Sequence, residues 1–417
     1  MSSNFFIQPA KKAKHAASEL ALLSTKTKNE ALASMAEAIL KNKAVILKAN
    51  ARDVAASRKK GLPESLVARL VLDESKLKKM AESLRLIAAL PDPVGRLISS
   101  TKRPNGLLIQ KVGVPLGVIL IIYESRPNVT TDCMALCLKS GNSVILKGGR
   151  EALNSNRAIY QVLNEAAVKK GVPKGAMAFV TSTDRKAVRV LLNYPEFIDL
   201  VIPRGGEGLI REVARLSKIP VIKHFQGICH VFVDRDADLE KSEKVVLNAK
   251  VQNPAVCNAM ETLLVHEKIA SKFLPRICLL LKEKGVEIRG CETTRRWVPS
   301  VQKASQKDWG TEYLDLVLSI RVVKDLSEAV RHIEQYGSRH SDAILTENQG
   351  AAKFFTDSVD SSCVFVNCST RFNDGGEFGM GAEMGISTDK LHVRGPMGLE
   401  ELTSYKYVVL GNGQVRS

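Results

Sequence analysis

One cysteine in this chain of 417 residues lies in a stretch suited to exposing its sulfur. In Asn253-Pro-Ala-Val-Cys257 a proline breaks the approach and small residues follow, so the loop leaves a thiol open and near backbone amides. Amide donors lower a thiol pKa and favour the nucleophilic thiolate. Two glycine-bearing segments could serve a phosphate. Ile202-Pro-Arg-Gly-Gly-Glu-Gly208 falls between a strand pattern and a helix pattern, where amides and the helix dipole hold anions. Val144-Ile-Leu-Lys-Gly-Gly-Arg150 sets Lys147 and Arg150 three apart at a strand end, where nucleotide phosphates gather. By residue type alone each segment has a plain alternative: an inert buried thiol, a tight turn, a solvated cation pair. The chemistry on offer is attack by sulfur in a protein that also binds a nucleotide.

Such groups need a rigid scaffold, and the chain's periodicity supplies one. The first ninety residues are helical in pattern. Leu32, Met35, Ile39 and Leu40 share one helical face, and Leu77, Met80, Leu84 and Ile87 share another between a start signal at Asp73–Ser75 and a stop at Pro91. A hairpin follows, Leu97–Arg103 and Leu107–Val112 around Pro104-Asn-Gly106. From Gly117 strands and helices alternate. Gly117–Glu124, Ser143–Lys147, Ala178–Val180 and Asp199–Ile202 read as strands, and Thr130–Lys139, Asn154–Lys170 and Asp184–Leu192 as helices. That rhythm predicts a parallel sheet wound by right-handed crossovers, with ligands at the C-terminal strand ends. A second series runs from Val231 to about Gly381, with Thr262–His266, Asp315–Val323 and Cys363–Asn367 as strands and Lys272–Glu283 and Leu326–Tyr336 as helices. Ser404–Leu410 reads as a last strand. The fold class is therefore α/β, with two or three cores expected at this length.

Composition excludes some functions. Hydrophobic residues are 45% and charged residues 25%, a globular balance, and no apolar run approaches the ~18–20 residues that span a bilayer. Met1–Lys14 lacks a secretory pattern, so a cytoplasmic protein is expected. The net charge of +17 could signal nucleic-acid binding, yet the cations are spread over helix faces and aromatics are only 5%, too few for base stacking. Eight cysteines with no C-x-x-C pair argue against disulfides and zinc, and no metal is expected.

Taken in order, these segments resemble the aldehyde dehydrogenase superfamily and, within it, the family of gamma-glutamyl phosphate reductases. The matches are Gly117-Val-Ile-Leu-Ile-Ile-Tyr-Glu-Ser-Arg-Pro-Asn128, Ser143–Gly149, Val201-Ile-Pro-Arg-Gly-Gly206, Asn253–Glu261 and the long Arg371–Thr388, continued by Leu391–Leu399. The resemblance implies an aldehyde dehydrogenase-like fold. Residues 1–97 and 115–226 would form an NADPH-binding domain of Rossmann type, and 227–385 a catalytic domain. Residues 98–114 and 403–417 would make a small β oligomerisation arm, with 386–402 as a connecting segment.

It also implies roles. Cys257 would be the nucleophile toward L-glutamyl 5-phosphate, giving a thioacyl intermediate that NADPH reduces to L-glutamate 5-semialdehyde, a step toward L-proline. Ser125, with the Cys257 amide, matches the oxyanion donors, and Asn128 and Asn253 are further candidates. Lys147 would meet the adenosine ribose, Arg150 the 2′-phosphate that selects NADPH, Gly205 and Gly206 the pyrophosphate, and Glu312 the nicotinamide ribose. Arg126, Arg371 and Ser369 or Thr370 would contact substrate anions, and Glu377 its ammonium group. His224 stands where the superfamily carries a general-base glutamate, a proton donor or a structural histidine. Without that base, water is not activated against the thioester, which favours acyl phosphate chemistry over the alternative, oxidation of a small aldehyde. A homo-oligomer is expected, with transient contact to a glutamate kinase as a further possibility.

Overall fold

The computed structural model describes residues 3–124 and 126–416. The chain forms two compact units, one of residues 1–223, 379–385 and 397–417, the other of 224–378 and 386–396. Within 386–402, which the family resemblance implies as a connecting segment, 386–396 fall in the second unit and 397–402 in the first, together with 379–385. The reason is local pairing: Met384 and Gly385 bond to Met397, while Ile386 and Ser387 pair with Pro396 and Gly395.

The first unit opens with helices α1 (Ser3–Leu20), α2 (Thr25–Lys41), α3 (Lys43–Lys59), α4 (Glu64–Leu70) and α5 (Glu74–Ala89). Ser24 and Asp73 cap α2 and α5 by accepting the amides of Thr27 and Lys76. Their predicted faces, Leu32, Met35, Ile39 and Leu77, Met80, Leu84, Ile87, are buried; Leu40 lies at the margin. Strands β1 (Leu97–Lys102) and β2 (Leu108–Pro115) precede the sheet proper. Then come β3 (Val118–Tyr123), α6 (Asn128–Lys139), β4 (Ser143–Gly148), α7 (Leu153–Val168), β5 (Met177–Phe179), α8 (Arg185–Leu191), β6 (Leu200–Arg204) and α9 (Glu207–Leu216). These strands form a parallel sheet in the order β5-β4-β3-β6. Every residue of β3 and β4 is buried, as helix-covered parallel strands require. The order runs outward from β3 to β5 and then returns to its other side with β6, so a topological switch point lies at the C-terminal ends of β3 and β6.

The second unit carries β7 (Cys229–Val233), α10 (Leu239–Val251), β8 (Met260–His266), α11 (Glu267–Glu283), β9 (Glu287–Gly290), α12 (Glu292–Trp297), β10 (Gln302–Lys303), β11 (Val317–Val323), α13 (Leu326–Tyr336), β12 (Ser341–Leu345), α14 (Gln349–Ser358) and β13 (Cys363–Val366), then the short pair β14 (Ile386–Ser387) and β15 (Gly395–Pro396). Its seven-stranded parallel sheet has the order β10-β9-β11-β8-β7-β12-β13. Val231, Leu263, Phe273, Ile277, Leu318 and Ala343 build its core.

The last strand, β16 (Thr403–Leu410), returns to the first unit and pairs antiparallel with β2 along its whole length, making the sheet β1-β2-β16. The β1–β2 turn passes through Gly106 at φ +87°, a conformation glycine adopts without strain. All of β1 is exposed, and Tyr405, Tyr407, Val409 and Leu410 stand open on β16. Among the described residues no helix is long and apolar enough to cross a membrane.

One ion pair fixes the second unit near its loops. Lys250 at the end of α10 and Glu261 in β8 are both fully buried and meet at 2.6 Å, and Glu261 also accepts the Leu314 amide. Lys250→Met is expected to lower the unfolding free energy by about 3–5 kcal/mol, because it strands a buried carboxylate. Lys250→Met with Glu261→Gln, which keeps an oxygen for Leu314, should recover much of that loss. Denaturant midpoints check this, and equal losses in both variants would contradict it.

Candidate active site

Between Lys250 and Glu261 the chain makes the loop that carries Cys257, so the buried pair holds both feet of that loop. Four further contacts set its backbone. Gly227 passes so close that a β-carbon there would lie 2.0 Å from the Cys257 carbonyl oxygen; only glycine fits. Cys229 donates its thiol to that same carbonyl at 3.2 Å. On the far side, the Thr370 hydroxyl donates to the Asn258 carbonyl at 2.8 Å, and the Asn258 amide donates to the Asn373 carbonyl at 2.9 Å. The backbone is thus held at Cys257 itself and at the next residue, Asn258.

Two histidines surround the half-buried Cys257. Its Sγ and one ring nitrogen each of His224 and His340 all lie within 4.8 Å of one another, and the two rings meet edge to face at 5.3 Å. His224 Nδ1 lies 2.7 Å from the Ile386 carbonyl. A carbonyl only accepts, so this nitrogen carries a proton. His340 is fully buried, with Nδ1 at 2.8 Å from the Ser341 hydroxyl and Nε2 without a hydrogen-bond partner. Burial pushes the Cys257 thiol up. The charge of His340 and the hydrogen bonding and charge of His224 outweigh that and hold it well below the ordinary thiol range. Of these favourable contributions the charge of His340 is the largest. Sequence reasoning missed His340. It is a lone histidine ahead of β12, and only the fold brings it to Cys257.

Glu312 belongs to the same cluster. It accepts the Gly227 amide at 2.9 Å, and burial and the Cys257 charge both raise its pKa. Arg371 donates to Gln252 at 2.9 Å; burial lowers its pKa while the Cys257 charge opposes, which places the guanidinium in electrostatic reach of the sulfur. His224, Cys257, Glu312 and His340 precede β7, β8, β11 and β12 respectively, so the cluster sits at the amino ends of the parallel strands. The sequence rhythm predicts ligands at the carboxyl ends; in this unit the rule fails, because the loops entering the strands converge on the cysteine. Two residues beside the cluster, Leu314 and Arg339, hold positive φ (54° and 60°), a strained state for non-glycine residues that the surrounding packing must enforce.

The remaining predicted residues divide between the units. Asn253 accepts the Ala255 amide with its own side chain and so caps a turn. Ser369 and Thr370 are buried, the first accepting the Arg371 amide and the second spent on Asn258. Glu377 is exposed and opposes the burial of Arg371 electrostatically. Asn128 and Arg126 lie in the first unit, exposed at the start of α6; Asn128 donates to Asp132 at 3.3 Å. Ser125 lies outside the described residues.

The first unit holds its own constellation at the carboxyl ends of its strands. Lys147, at the end of β4, is buried and donates to the Gly148 carbonyl at 2.8 Å, and burial lowers its pKa. Arg150 is exposed and paired with Glu151 at 3.1 Å. At the switch point the Gly206 amide, ahead of the ten-residue helix α9, donates to a Glu124 carboxylate oxygen at 3.0 Å. A β-carbon on Gly205 would clash with that carboxylate, whereas one on Gly206 would meet nothing within 4 Å. The amide therefore binds an anionic oxygen, as amides at helix N-termini do.

Residues 6–307 match the model of the Aldehyde dehydrogenase family. The chain is 55% identical over 407 residues to the gamma-glutamyl phosphate reductase of Carboxydothermus hydrogenoformans, covering 98% of each, and 55% identical over 405 residues to that of Moorella thermoacetica, covering 97% of each. The crystal structure of the gamma-glutamyl phosphate reductase of Thermotoga maritima superposes with a TM-score of 0.96 at 49% identity, over 99% of this chain and 100% of that one. An acetylating aldehyde dehydrogenase from Geobacillus thermoglucosidasius shares the fold at a TM-score of 0.73 and 17% identity.

A depressed thiol pKa has a direct readout. Thiolate is present above the folded pKa and is lost as pH falls through it, so iodoacetamide labelling of the Cys257 peptide should stay fast well below the ordinary thiol pKa of about 8.5. His340→Asn is expected to move the inflection up by about one pH unit or more, since an opposite charge has been removed. An unshifted curve would contradict the assignment.

Proposed function

The chain belongs to the aldehyde dehydrogenase family, and from that premise we propose that it reduces L-glutamyl 5-phosphate to L-glutamate 5-semialdehyde, releasing phosphate, as a step toward L-proline. The observation that carries this reading is the convergence of His224 and His340 on the Cys257 sulfur, which holds the thiol well below its ordinary range. The substrate itself follows from the near full-length relatives named for that activity.

Sulfur is suited to both halves of the reaction. The Cys257 thiolate adds to the acyl carbon, and the carbon–oxygen bond to phosphate breaks with its electron pair leaving on phosphate. The Cys257 amide, for which the described residues offer no acceptor, is a donor to the oxyanion formed on the way. Arg371 lies in reach of the reacting sulfur and opposes the negative charge of the phosphate. A thioester on Cys257 remains. Lys147, Arg150, Gly205 and Gly206 fit a nicotinamide dinucleotide, with Arg150 directed at a 2′-phosphate and hence NADPH; when bound, it supplies the hydride for the thioester carbonyl. An exposed pair such as Arg150–Glu151 is worth only about 0–1 kcal/mol, so Glu151 yields the guanidinium readily to a phosphate. Collapse of the thiohemiacetal returns the thiolate and needs one proton moved. His224, whose proton-bearing Nδ1 is tied to Ile386, holds Nε2 ready for that transfer.

The sheet β1-β2-β16 has two open edges and exposed aromatic and aliphatic side chains, and a second copy of the chain is the natural cover for it. We therefore read it as an oligomerisation arm.

Run in reverse with L-glutamate 5-semialdehyde, NADP⁺ and phosphate, the protein should form reduced cofactor only when phosphate is present, and Cys257→Ala should abolish it. Phosphate-independent oxidation would contradict the acyl phosphate reading. Arg150→Ala is expected to lower kcat/KM for NADP⁺ about ten- to a hundredfold, the worth of a charged hydrogen bond, while sparing NAD⁺. For the arm, Tyr407→Lys with Val409→Lys should leave the fold intact and yield a smaller species in sedimentation; an unchanged species would contradict that role.

A further inference from the structure

Cys257, His224 and His340 present a donor set that the reductase reaction does not need in full: one thiolate sulfur and two imidazole nitrogens converging on a common point. We propose that these three side chains form a reversible binding site for a soft divalent cation, Zn²⁺ in the first place, and that its occupancy shuts off the nucleophile. Zinc is four-coordinate with sulfur at about 2.3 Å and imidazole nitrogen at about 2.0–2.1 Å, which sets tetrahedral donors roughly 3.3–3.8 Å apart. The three atoms already lie within 4.8 Å of one another, so closure takes a small rotation of side chains and no backbone rearrangement.

The surroundings have the features of a metal site. His224 donates Nδ1–H to the Ile386 carbonyl at 2.7 Å, the outer contact that fixes the orientation of a ligating imidazole. His340 is fully buried, is held at Nδ1 by the Ser341 hydroxyl at 2.8 Å, and has an Nε2 with no hydrogen-bond partner. Buried ring nitrogens are ordinarily paired, and one left unpaired beside a thiol and a second imidazole points to a ligand. The half-buried Glu312 carboxylate, held by the Gly227 amide, adds negative charge beside the cluster and with the thiolate balances a dication. Three protein ligands leave a fourth position for water, as in zinc sites that are not purely structural. The donor set selects against hard ions: Mg²⁺ and Ca²⁺ take oxygen ligands and have no place here. A sulfur whose lone pair is given to zinc cannot attack an acyl carbon, so metal binding and acyl transfer exclude each other.

Co²⁺ makes the site visible without any assay of activity. Titrated into the full-length protein, it should give a sulfur-to-cobalt charge-transfer band and the intense visible bands of a tetrahedral centre, at one ion per chain, displaced by Zn²⁺ and unaffected by Mg²⁺. Cys257→Ala should remove the charge-transfer band, and His340→Gln or His224→Gln should each weaken Zn²⁺ binding at least tenfold in calorimetry; two histidine variants guard against one that does not fold. Zn²⁺ should also slow iodoacetamide labelling of Cys257, with full recovery on adding a chelator. Absence of the cobalt spectrum, its persistence in Cys257→Ala, or labelling unchanged by Zn²⁺ would overturn the site. None of these readouts depends on the identity of the substrate, so failure of the reductase reading would leave the result standing.

Discussion

A thiolate at Cys257 is a negative charge in a place where burial disfavours charge, and the second unit is arranged to offset that cost. His340 brings an opposing charge from the segment entering β12, His224 brings a hydrogen bond and charge from the segment entering β7, and the loop entering β8 carries the sulfur. Electrostatics of this kind falls off with distance and is strongest where water is excluded, so the arrangement works only if the three loops keep their places. That explains the number of otherwise unremarkable contacts spent on backbone there. Gly227 can touch the Cys257 carbonyl because it has no side chain, Cys229 donates to the same carbonyl, and the turn at Thr370 is stitched to Asn258.

Holding a reactive cluster at the amino ends of parallel strands has a consequence for stability. The loops that enter a strand are set by the element before it, and here α10 and β8 are fastened by the buried Lys250–Glu261 pair. Glu261 also accepts the amide of Leu314, two residues from Glu312, so one buried carboxylate links the cysteine loop to the glutamate loop. The left-handed backbone at Leu314 is held by this same carboxylate. In the first unit the logic is different. There the carboxyl ends of the strands carry the anion-binding groups, and the helix α9 supplies an amide already engaged by Glu124.

How much of this was legible in the sequence follows from which signals are local. The first unit's strands and helices stand within a few residues of their expected bounds, because apolar runs and caps such as Asp73 are local facts. Cys257 was legible through its loop composition and its motif. β12 escaped notice because Ser341 and Asp342, polar residues that usually mark loops, are wholly buried there. Asp342 is buried against His230, a partner far away in the chain. His340 escaped for the same reason: nothing beside it in sequence marks it, and it stands 83 positions after Cys257. Asn253, Ser369 and Thr370 had the right residue types for binding, yet their polar atoms go to turns and backbone. Competition between local caps and ligands is decided by geometry that residue type does not carry.

The central claim is that Cys257 takes the acyl group and that no base here spends water on the thioester. It is tested most directly by peptide mass spectrometry of the protein mixed with L-glutamate 5-semialdehyde and NADP⁺ in buffer free of phosphate. The account predicts that a single turnover of reduced cofactor forms and that a glutamyl adduct accumulates on the Cys257 peptide, released when phosphate is added. Continued turnover without phosphate, or reduced cofactor with no adduct on Cys257, would contradict it.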